Sequence, residues 1–83
     1  MKARRLIEGS LYEPRTLRVI FEGFDQAWSE VADHFGTDPR SIEDARLRLA
    51  HACLVVAYEG IDDPERIKID ALQVMALAYR QSA

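Results

Sequence analysis

Every proline in this chain follows an acidic residue and stands three positions before a Leu or Ile: Glu13-Pro14-Arg15-Thr16-Leu17, Asp38-Pro39-Arg40-Ser41-Ile42 and Asp63-Pro64-Glu65-Arg66-Ile67. Proline is tolerated at the first position of a helix, where its missing N–H would have no intrahelical partner. A side-chain oxygen just before it can accept from the free amides of the first turn. The signal therefore marks three helix starts, and Gly36 and Gly60 stand where a left-handed residue ends the preceding helix. The expected fold is all-α: a short N-terminal arm over residues 1–13, then one domain over residues 14–83. Short connections make successive helices antiparallel, which gives a three-helix up-down-up bundle.

The first helix, expected to run to Phe35, carries Leu17, Phe21, Phe24, Trp28, Val31 and Phe35 at alternating four-and-three spacing. That spacing keeps all six on one stripe, which reads as its core face with Trp28 as the largest ring. The second helix, from Pro39 to about Glu59, is amphipathic at first. Its later part, Leu49-Ala50-His51-Ala52-Cys53-Leu54-Val55-Val56-Ala57-Tyr58, is apolar nearly all round and so should be covered on most sides. The third helix, from Pro64 to about Arg80, presents Ile67, Ala71, Val74, Met75 and Ala78, with Tyr79 at the margin.

With 48% apolar and 30% charged residues, the chain has the composition of a folded domain. A net charge of −3 gives no general attraction to nucleic acid or anionic membrane. Basic Lys2, Arg4, Arg5, Arg15 and Arg18 near the start read as a solubilising cluster. Cys53 is the single cysteine, so no internal disulfide forms and a reducing cytoplasm is the expected setting. Two lysines against many arginines, with abundant alanine, fit a GC-rich bacterial genome.

Residues 31–48 place Ala32, then Gly36 four positions later, then Ile42. This spacing resembles the helix-turn-helix DNA-binding motif, in which the Ala admits close packing, the Gly makes the turn and the aliphatic locks the recognition helix. The resemblance implies that Arg40, Ser41, Asp44, Arg46 and Arg48 would face DNA. Against it, Thr37 stands where an aliphatic is usual, and Glu43 and Asp44 would bring negative charge toward phosphates. His51 on a helix resembles the phospho-accepting histidine of phosphotransfer domains, but Leu54 and Val55 occupy the positions where that family carries Lys and Gly; a partly buried structural His is the plainer reading.

Glu30 and His34 share a helix face without further ligands in sequence, and Glu22, Asp25, Glu30 and Asp33 read as a solvated face. No catalytic, cofactor-binding or metal-ligating residue is expected. The chain reads as a non-enzymatic protein–protein interaction or adaptor module acting as a homodimer or on an unidentified protein partner, with no membrane partner and nucleic acid not the expected one; the alternative is a helix-turn-helix DNA-binding regulator using residues 31–48. Its interface is expected on the outward side of the second helix, around Leu47, Leu54 and Tyr58. The competing cover for that apolar surplus is the arm itself, through Leu6, Ile7 and Leu11.

Overall fold

The computed structural model describes the backbone of residues 2–82 and the side chains of residues 2–78. Four α-helices follow one another: α1 (Lys2–Glu8), α2 (Pro14–Val31), α3 (Pro39–Val56) and α4 (Pro64–Ser82), with a 3₁₀ turn at Ala32–Phe35. No strand occurs among the described residues. The three starts marked by proline are all present. Asp38 accepts from the Arg40 amide at 3.3 Å and from the Ser41 hydroxyl at 3.0 Å, and Asp63 accepts from the Glu65 amide at 3.0 Å. Glu13 makes no such cap. Glu is outside the set of short side chains that cap well, and the Glu13 amide is instead held by the Glu59 carboxylate at 3.1 Å.

The N-terminal stretch departs from expectation, for residues 2–8 are helical and the bundle gains a fourth member. The α1 helix packs chiefly on α3 and secondarily on α2. Its backbone amide at Lys2 donates to Glu43 Oε1 at 3.1 Å, and past its end the Tyr12 hydroxyl donates to the Ala57 carbonyl at 3.1 Å. Residues 43, 50 and 57 recur at a seven-residue interval, which keeps them on one side of a helix. α1 therefore lies along that side, and Ala50 at its middle is completely buried, as are Ala3 and Ile7 of α1 itself. Leu11, expected to join the cover, stands fully exposed in the connection.

The core of α2 is rotated from the aromatic stripe. Its buried residues are Thr16, Ile20, Gly23, Phe24 and Ala27, while Leu17, Phe21, Trp28 and Val31 are half-buried along the flank. Small residues decide the orientation: at Gly23 the helix meets α4 so closely that an added Cβ would stand 2.7 Å from Ile67 Cγ2 and 2.9 Å from the Pro64 carbonyl oxygen. The 3₁₀ turn that ends α2 aims Phe35 back at Trp28, and the two rings stack with centroids 5.8 Å apart. Lys68 of α4 also reaches Glu30 of α2 at 3.0 Å, and this hydrogen bond raises the pKa of its ammonium above the ordinary 10.5.

α3 stops at Val56, short of the expected Glu59. The chain there is captured by the start of α2: buried Thr16 accepts from the Gly60 amide at 3.2 Å, Gly60 takes φ 91°, and Ile61 turns into the core. Tyr79 lies outside the described side chains.

Candidate functional site

With α1 on one flank of α3 and the core on another, one side of α3 remains open. At 3.6 residues per turn, Arg40, Asp44, Leu47, His51 and Val55 fall within a sector of about 80°, and this sector faces away from buried Ala45, Leu49 and Cys53. The carboxyl-terminal half of the sector meets α4 in an open groove of about 340 Å³, lined by Leu47, Arg48, His51, Val55, Val74 and Ala78 over a floor of Ala52 and Met75. Val55 is 67% exposed there. On the opposite side of α4 a second groove of about 350 Å³ runs between Val31, His34, Phe35, Leu72 and Ala76, and Met75 reaches both.

Arg48 and His51 are the two polar side chains that line the first groove. A small polar ligand needs several convergent hydrogen-bonding groups in an enclosed cavity. A shallow trough walled by Leu, Val, Met and Ala with a basic lip suits another protein surface.

Of the expected interface residues, Leu47 lines the groove, Tyr58 is exposed beyond the end of α3, and Leu54, seven residues from Leu47 and so on nearly the same side of the helix, is half-buried against the core. Val55, the next residue round, lines the groove and is largely exposed. His51 is exposed at the middle of the stripe, in contrast to the partly buried structural role read from its apolar neighbours. The charged Arg40 and Asp44, extrapolated along the helix by whole turns, carried the signal for both His51 and Val55.

The five residues implied by the DNA-binding resemblance are also divided. Arg40, Ser41, Asp44 and Arg48 are exposed, with the Ser41 hydroxyl committed to Asp38. Arg46 is turned the other way and half-buried, its guanidinium 5.0 Å from the centroid of the Trp28 ring. In the amino-terminal cluster, Arg4 lies 4.6 Å over Phe21 and pairs with Glu8 at 3.6 Å.

Cys53 is fully buried, and desolvation pushes its thiol up to about 12, far from the thiolate that nucleophilic chemistry requires. Among the described residues no group of three His, Cys, Asp or Glu side chains is placed to hold a metal ion, and no helix is long and apolar enough to cross a membrane. Compared with known proteins, the chain matches no family model, no curated protein and no solved structure.

Proposed function

We propose that this chain is a non-enzymatic protein-interaction module that acts as a homodimer, joined through the groove between α3 and α4. The observation that carries the reading is the open side of α3. It presents Leu47 and a largely exposed Val55 in line with Val74 and Ala78 of α4, on a helix whose other flanks are covered. Apolar patches of this kind on a small body mark interfaces.

The size of the molecule bounds the contact. It measures 34 × 23 × 19 Å, so a standard interface of about 800 Å² per partner uses most of one broad side. A dimer that covers the groove therefore extends along the outer stripe of α3 from end to end, and an affinity in the micromolar range is expected after the entropy of association is met.

Light scattering at micromolar to millimolar concentration should give twice the chain mass, and Val55→Glu should return it to the single-chain mass with the helical circular dichroism intact. Val55 is the informative position because its exposure leaves the fold unharmed by the added charge, whereas Leu54→Glu would bury a carboxylate. A wild-type chain that stays monomeric throughout, or a dimer indifferent to Val55→Glu, would defeat this reading.

A further inference from the structure

Because the interface must span α3, the charges at its amino-terminal half are drawn into it, and their order limits how two copies can meet. Closed two-fold symmetry allows the two α3 helices to cross parallel or antiparallel. Parallel pairing sets Arg40 on Arg40, Asp44 on Asp44 and Arg48 on Arg48, with like charges opposed through the amino-terminal half of the stripe. Antiparallel pairing opposes the charged half of each stripe to the apolar half of the other.

We propose that two copies pair α3 against α3 in antiparallel fashion about a two-fold axis passing between Leu47 and Arg48, so that Asp44 of each copy faces His51 of the other. The proposal rests on the homodimer reading above and specifies its geometry. Asp44 and His51 stand three and a half residues on either side of that axis, about 5 Å along the helix at 1.5 Å per residue. An antiparallel partner thus brings the two residues to the same height, twice. The imidazole N–H donates to the carboxylate, an interaction stronger than one between neutral groups when the ring is charged. Arg40 and Val55 stand seven and a half residues out, also level, and the aliphatic stem of Arg40 covers the exposed valine while its guanidinium stays in water.

Neighbouring registers are worse on the same residues. Sliding one helix by a turn in one direction opposes Asp44 to Arg48 but carries Val55 past the start of the facing helix at Pro39, where nothing covers it. Sliding it a turn the other way sets His51 against Arg48 and Val55 against Asp44.

The test is a charge exchange read as a dimer dissociation constant by analytical ultracentrifugation. Asp44→His, which opposes two imidazoles, and His51→Asp, which opposes two carboxylates, should each weaken the dimer by roughly tenfold or more, and the chain carrying both changes should recover wild-type affinity. Both positions are exposed, so at concentrations below the dimer dissociation constant thermal melting of each variant should match wild type. A second readout needs no charge change: in a Cys53→Ser background, Leu47→Cys beside the axis should oxidise to a covalent dimer while Arg40→Cys should not. A dimer unmoved by either single change, weakened by both but not restored by the exchange, or linked through Arg40→Cys would overturn this pairing and leave the homodimer standing. A wild-type monomer would remove both.

Discussion

Gly23→Ala is expected to lower the stability of the fold by about 2 kcal/mol, and Gly23→Val to prevent folding. Two effects of opposite sign compete at this position. Alanine favours an α-helix over glycine by about 1 kcal/mol, and on an open helix face the change would stabilise. Here the new Cβ would stand 2.7 Å from Ile67 Cγ2, 2.8 Å from Ile67 Cβ and 2.9 Å from the Pro64 carbonyl oxygen. None of these is the free end of a flexible side chain. The contacts involve a β-branched residue close to its backbone and the backbone itself, so α2 and α4 must move apart along the crossing that buries Ile20, Phe24 and Ile67. For a chain of this length the whole stability is about 4–12 kcal/mol, so the loss is a large fraction of it. Urea unfolding of Gly23→Ala decides the matter; a variant more stable than wild type would show that the helices do not approach as described.

The second large effect concerns which aromatic residue holds the core. Phe24 is 3% exposed beside Ile20 and Ala27, and Phe24→Ala should cost about 3–5 kcal/mol through lost burial and the cavity left behind. Trp28 is the larger ring, yet it lies half-buried at the surface between Phe35 and Arg46. Its removal forfeits a ring stack and a cation–π contact, each about 1 kcal/mol beyond burial, together with the part of the ring packed on the core; because the space left opens to solvent, it should cost about 2–3 kcal/mol in all. Denaturation midpoints of the two variants test the order. A greater loss at Trp28 would place the axis of the core along the aromatic stripe after all.

That order is the reverse of what residue size suggests, and the reason lies in what periodicity measures. The stripe from Leu17 showed a helix and its apolar side as far as Val31, while Phe35 fell in the 3₁₀ turn beyond its end. It could not weigh Thr16, Gly23 and Ala27, whose value comes from how near they let α4 approach. The helix starts were legible because Asp38 and Asp63 act on their own first turns, a matter of two or three residues. Glu13 failed the same rule through the length of its side chain and a partner forty-six residues away. At the candidate site, the excess of apolar residues in the second half of α3 was visible, and so was the choice between a covering arm and a covering chain. Both flanks were needed to see that α1 takes the side of Ala50 while the groove keeps Leu47, His51 and Val55. A rotation of one residue, about 100°, separates the two outcomes.

The seven-residue α1 helix is shorter than any that persists alone in water, where about 12–15 residues are needed. Its order is borrowed from α3, where Glu43 accepts from the Lys2 amide, and the connection that follows it is tethered by the Ala57 carbonyl to Tyr12 and by Glu59 to the Glu13 amide. The ladder of local stabilities should therefore have α1 on its lowest rung, and under native conditions its amides should exchange with solvent well before those at the centres of α2, α3 and α4. Equal protection of all four helices would mean a single cooperative unit. An α1 that lifts away first takes Ala3 and Ile7 with it and uncovers the side of Ala50 on a molecule that already shows one apolar groove. The partly opened chain would then carry two sticky sides in place of one, and its tendency to aggregate would be governed by the first seven-residue helix more than by the stability of the bundle beneath it.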